Sequence, residues 1–130
     1  MKKIFFLCSI IFLSLSTNLK AEVIYGKASW YSTKDACGKK TNNHPKCPTA
    51  SGLSLFMLES DEKLFGASWI FKLGSIIRVT NQKNNKSVLV EIVDRGPAKR
   101  LNRPIDLGKL AFSKIADTRT GIIDVKLEQI

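Results

Sequence analysis

One histidine, His44, and three cysteines are all that this 130-residue chain offers in imidazole and thiol metal ligands. Cys8 lies in the N-terminal apolar segment, which leaves Cys37 and Cys47 for the rest of the chain. A structural zinc site closes with four side chains; two cysteines and a histidine in a Pro- and Asn-rich loop fall short of it. Long apolar runs are missing as well. The stretch from Ile4 to Leu15 is shorter than the ~20 residues that cross a bilayer. Repeats, low-complexity tracts and internal linkers are absent. Acids are scarce, with 11 Asp+Glu against 21 Lys+Arg and a net charge of +10.

The N-terminus reads as a targeting segment. Met1-Lys2-Lys3 is a basic start, Ile4 to Leu15 an apolar core, and Ser16 to Ala21 a more polar end. That is the build of a secretory signal, with cleavage expected after Ala21. Cys8 follows Phe6 and Leu7, where a lipid-modified cysteine would follow a small residue. The expected product is therefore soluble and exported, periplasmic or extracellular, rather than a lipoprotein. Residues 1–21 hold three lysines and no acid, so the remaining 109 residues carry +7. A chain of that size supports one compact core, and 22–130 is expected to be one domain.

In an oxidising compartment an even pair of cysteines points to a disulfide, here Cys37–Cys47, over two free thiols or a metal. Export also argues against nucleic acid as the partner of the positive charge. A bacterial envelope offers teichoic acids, anionic lipid and peptidoglycan carboxylates instead. A basic surface that only keeps the protein soluble is the plainer reading.

The pattern after Ala21 is mostly β. Val23 to Ser32 reads as a strand with an aromatic end. Ser75 to Asn81 and Lys86 to Val93 are β-branched runs joined through Asn84-Asn85, a pair suited to positive φ, and form a hairpin. Gly121 to Glu128 alternates Ile123, Val125 and Leu127 inward against Asp124, Lys126 and Glu128 outward. Asp106 is placed to cap a helix from Leu107 to about Ala116, with Leu107, Leu110, Ala111 and Ile115 on one face. Asp61 to Phe65 reads as a single helical turn. Short strands with one or two brief helices predict a small all-β barrel.

The segment Val93-Asp94-Arg95-Gly96-Pro97 places a carboxylate where a strand hands over to a loop. Gly96 tolerates positive φ, and Pro97 fixes φ and lacks an N–H, so a turn follows. A charged group at a rigid strand end is how a scaffold presents chemistry. The plainer reading is a turn whose acid caps its own backbone.

Six strings occur in the order of rare lipoprotein A (RlpA)-like domains: Gly26 to Tyr31, Thr49-Ala50-Ser51-Gly52, Leu73-Gly74-Ser75, Val79-Thr80-Asn81, Asp94-Arg95-Gly96-Pro97 and Ile105-Asp106-Leu107. The chain resembles that family from about Gly26 to Leu127. The resemblance implies a six-stranded double-psi β-barrel, the fold shared with expansins. It also implies a lytic transglycosylase acting on peptidoglycan glycan strands, especially those stripped of stem peptides. Asp94 then matches the family's catalytic acid, which must hold its proton near neutral pH through burial or a like-charged neighbour. Asp106 is a candidate second carboxylate. Trp30, Tyr31, Trp69 and Arg95 are candidates to contact substrate, although packing is the plainer role for each aromatic. No cofactor and no metal are implied. The domain is expected to act as a monomer, with no nucleic-acid partner and no stable membrane insertion after signal cleavage.

Two positions depart from the family pattern. Leu53 stands where a glutamate commonly follows Thr-Ala-Ser-Gly, and the region around Trp69 lacks the family's histidine. Those departures keep two other readings open: an expansin-like, non-catalytic glycan binder, and a secreted protein-binding module on the same frame.

Overall fold

In a computed structural model the chain is described over residues 22–39 and 42–130. The expected signal segment lies outside the described residues. Six strands and short helices follow in the order β1 (Val23–Tyr31), α1 (Thr33–Ala36), α2 (Leu55–Ser60), β2 (Phe65–Ala67), β3 (Ile76–Asn81), β4 (Ser87–Asp94), β5 (Ile105–Gly108), α3 (Lys109–Ser113) and β6 (Ile123–Gln129). The strands close into a barrel in the order β1-β5-β2-β4-β3-β6. The β1/β5 and β2/β4 pairs are parallel, and the other four are antiparallel.

Alternation builds the main core. Val79, Val88, Val90, Ile92, Ile123, Val125 and Leu127, the residues whose period-2 pattern points inward, all join it. Burying each contributes about 1.5–3 kcal/mol. Ala28, Ile77, Ile105, Leu107 and Phe112 complete the interior at 0 % exposure. A second, smaller cluster lies outside the barrel, where Cys47, Leu55 and Leu58 cover Phe65 and Val93. Cys37 and Cys47 are joined, with Cα atoms 5.6 Å apart.

Two local expectations are corrected. Asp106 does not cap a helix: it lies inside β5, and α3 starts only at Lys109 with no side-chain cap. Ile105 and Leu107 both face the core around it, a period of two that a four-residue strand displays only once. The shorter helix buries Ala111 and Phe112, and Leu110 is exposed. The other correction is Asp61 to Phe65, which is not a helical turn. The helix there is α2, ending at Ser60, and Phe65 opens β2.

Candidate active site

Four neighbouring strands place a row of side chains at one level of the barrel. Ser29 on β1 is the register partner of Asp106 on β5. Asp106 pairs in turn with Ala67 on β2, and Ala67 with Asp94 on β4. Cross-strand partners share a face, so Ser29, Asp106, Ala67 and Asp94 line up across β1-β5-β2-β4. Their flanking residues Ala28, Ile105, Leu107 and Ile92 fill the core, which puts the row on the outer face. Two strand spacings separate the two aspartates, about 10 Å between backbones, with only a methyl group between them.

Asp94 reaches this row through a β-bulge. Gly66 pairs with Ile92, but Ala67 pairs with Asp94, so Val93 is the extra residue on β4. Without the shift, Asp94 would follow Ile92 and Val90 toward the interior. A bulge breaks that alternation and re-aims a side chain. Val93 goes under α2 and Asp94 goes to the row.

The carboxylate of Asp94 is held from the backbone. Its Oδ1 accepts from Arg95 N at 2.9 Å and from Ala50 N at 3.0 Å. Ala50 belongs to the Thr49–Gly52 turn, which is pinned to β4 by Ser51 N donating to the Val93 carbonyl. That leaves Oδ2 for chemistry, with Tyr31 Oη 3.4 Å away. Burial, followed by the charges of Asp94 and Asp106, pushes the Tyr31 phenol well above its ordinary range, so it stays a neutral donor. Its ring is held by an edge contact with Phe65.

Asp106 is the more deeply set carboxyl. Burial pushes it up to about 6, against the Ser29 hydroxyl, which donates to Oδ1 at 2.9 Å, and the Arg103 charge, both of which pull it down. The Asp94 charge adds to the rise.

Arg95 turns away from Asp94. Its guanidinium donates to the carbonyls of Ser68 and Phe71 and so braces the loop that carries Trp69. Trp69 is half exposed, with its indole N–H on the Pro97 carbonyl and Lys99 Nζ 4.6 Å from the ring centre. Gly96 has φ +155° as the turn requires. Trp30 is not brought to the row. It sits on the other side of β1 from Ser29 and Tyr31, packs against the main core, and donates to the Thr118 carbonyl. His44 is exposed in the disulfide loop and accepts from Lys46 N, so it takes no part in the row. Leu53 is exposed, and its carbonyl closes the Thr49 turn. Ser29, the Ala50 N–H and Arg103 are site groups that the sequence did not single out. A hollow of about 1000 Å³ beside Tyr25, Asn81 and Asp117 contains none of the row.

The family described as lytic transglycolase matches residues 23–127. The chain is 37% identical over 105 residues to the endolytic peptidoglycan transglycosylase RlpA of Rickettsia felis, covering 81% of this chain and 41% of the relative. The Neisseria meningitidis serogroup A protein of that name is 37% identical over 106 residues, again 81% of this chain and 38% of the relative. The chain thus spans about two fifths of the length of these curated relatives. Among solved structures, Clavibacter michiganensis expansin superposes with a TM-score of 0.60 at 19% identity, over 84% of this chain and 50% of that one. At such identity the likeness speaks for the fold. The closed barrel, the carboxylate row and the match over nearly the whole described chain agree: this chain belongs to the lytic transglycolase family of RlpA-like double-psi β-barrels.

Proposed function

We propose that this domain is an endolytic peptidoglycan transglycosylase that works as a monomer in the cell envelope, exported by residues 1–21. The observation that carries the reading is the pair of aspartates on one outer row, separated by Ala67, with the Tyr31 phenol donating to Asp94. Asp94 is the acid. Its Oδ2, which no backbone N–H of the described residues holds, delivers a proton to the glycosidic oxygen as the C1–O bond of the muramic acid breaks. The sugar's own C6 hydroxyl then bonds to C1, and its proton returns to Asp94. No water is consumed, and the product is a 1,6-anhydro-muramyl end. Asp106 is the auxiliary group: it keeps its own proton up to about pH 6 and so donates to the bound sugar. Tyr31 is a neutral donor to the same sugar, Trp69 offers a ring for stacking, and Arg95 positions the Trp69 loop.

Asp94→Asn preserves shape and removes the transferable proton. General acid assistance is worth about 10²–10⁴ in rate, so release of anhydro-muramyl products from isolated glycan strands, followed by mass spectrometry, should fall by that order. Sacculus binding and the melting temperature should stay near those of the parent protein. Full product release by Asp94→Asn would falsify the assignment. A specific observation favours the second reading, a non-catalytic expansin-like binder: Leu53 sets an exposed apolar side chain, not a carboxylate, beside the Thr49 turn. That reading takes over if the parent protein binds sacculi and releases no anhydro-sugar.

A further inference from the structure

Arg103 stands three residues before Asp106 and acts on it electrostatically. Its Nε is buried and has no hydrogen-bond partner among the described residues. Buried donors are nearly always paired, so the Arg103 guanidinium is one acceptor short, and the same residue lines a cavity. The cavity is there. About 380 Å³ opens between Tyr25, Trp69, Lys99 and Arg103, and no acidic side chain lines it. Lys99 lies over the Trp69 ring, so two cations and a half-exposed indole face one space, lined in part by residues that follow Ala67 and precede Asp106 in the chain.

A neutral sugar would use the indole and leave both cations unmatched. A sugar that carries a carboxylate would use all three groups. We infer that Arg103 and Lys99 form a carboxylate subsite that takes the free lactyl carboxylate of a muramic acid seated against Trp69. This rests on the reading of the row as a glycan-cleaving site. The lactyl carboxylate is free only where the stem peptide has been removed, because a peptide converts it to an amide. The planar guanidinium matches a carboxylate through two parallel hydrogen bonds, which an ammonium does not. The carboxylates of a stem peptide are the other source of the same chemistry, and the test separates the two.

Binding is measured by calorimetry in the Asp94→Asn background, so that no strand is consumed. The probes are peptide-free glycan strands, the same strands with their lactyl carboxyls converted to methylamides, peptide-bearing strands, and neutral chitin oligosaccharides. Capping the lactyl carboxyls should weaken binding about ten- to a hundredfold, as loss of a charge-assisted hydrogen bond does. Arg103→Gln should lower affinity for free strands to the capped level and should not respond further to capping, the signature of a direct pair. Arg103→Lys should recover part of the loss, and binding of chitin should be unchanged in both variants. Equal affinity for free and capped strands overturns the proposal without needing any Arg103 variant to fold. So does tighter binding of peptide-bearing strands, which would assign the cations to the stem peptide. A parent protein that releases no anhydro-sugar from any strand overturns the enzymatic reading instead, and leaves the carboxylate dependence of binding to stand or fall by itself.

Discussion

Asp106 shows how far one residue's chemistry depends on the element that carries it. As a helix cap it would be exposed, ionised and stabilising, and Asn would cost stability by losing charge at a helix start. In β5 it is partly buried and pushed up to about 6, with desolvation the leading cause. The folded protein then binds its proton more tightly than the unfolded chain does. Stability from this group is full below the ordinary carboxylate range and declines as pH rises from about 4 to about 6. Two pH units of displacement correspond to about 2–3 kcal/mol. Asp106→Asn keeps an acceptor for the Ser29 hydroxyl and removes the partly buried charge. The variant should therefore melt higher than the parent at pH 7, and its denaturation midpoint should lose the slope between pH 4 and 6. Turnover gives an independent check. If the proton on Asp106 assists the reaction, activity of the parent falls as pH rises through about 6, and that limb is missing in Asp106→Asn. A midpoint lowered by the substitution at pH 7 contradicts the buried-strand account. Asp94 was legible at this scale because strand, carboxylate, glycine and proline are adjacent in the chain. Ser29 and the Ala50 N–H were not, since each is joined to its aspartate across at least 44 positions, and one of them is a backbone group with no side-chain signature.

At the scale of elements, the readable strands were those long enough to repeat their period. β1, β3, β4 and β6 have six to nine residues each and announce themselves by alternation. β2 has three residues and β5 has four, too few to distinguish two-residue from helical periodicity. They are also the strands that bring the two aspartates together, so the candidate row was the least legible part of the sheet. The bulge at Val93 was hidden for the same reason: its partner is the unread β2. Close packing of these short strands is testable at Gly108, the last residue of β5. A Cβ there would lie 2.7 Å from Phe65 Cζ, inside contact distance. Phe65 holds Tyr31 by its edge, so Gly108→Ala should push the ring and move the phenol away from Asp94. Overpacking of this kind costs about 1–3 kcal/mol. The expected result is a cooperative fold of lower denaturant midpoint, with kcat reduced by more than KM is changed. Phe65→Leu in the same chain frees space and should restore part of the midpoint. A Gly108→Ala protein of undiminished stability and kcat removes Phe65 from the positioning of Tyr31.

For the whole molecule, the barrel and the covering layer on its outer face divide the work. The barrel core is continuous from β1 to β6, built by strand alternation and completed by Ala111 and Phe112 of α3. The covering layer is small: Cys47, Leu55 and Leu58 over Phe65 and Val93, with Cys37 packed at its margin. A cluster of that size cannot order a polar loop, and a covalent link between Cys37 and Cys47 supplies the restraint. Closing a loop of this length stabilises by about 2–3 kcal/mol, chiefly by restricting the unfolded chain. The same segment continues into Thr49 and Ala50, and the Ala50 N–H is one of two donors that hold Asp94 Oδ1. The clip therefore acts on stability and on the placement of Asp94 together. Replacing both cysteines with serine should lower the denaturant midpoint by that amount and should also reduce kcat, because the Ala50 donor loses its fixed position. Reducing the parent protein should reproduce both effects, and adding reductant to the double-serine chain should change neither. If the double-serine chain loses stability but keeps the parent kcat, the covering layer is structural only and Asp94 is held by β4 and the Arg95 N–H alone.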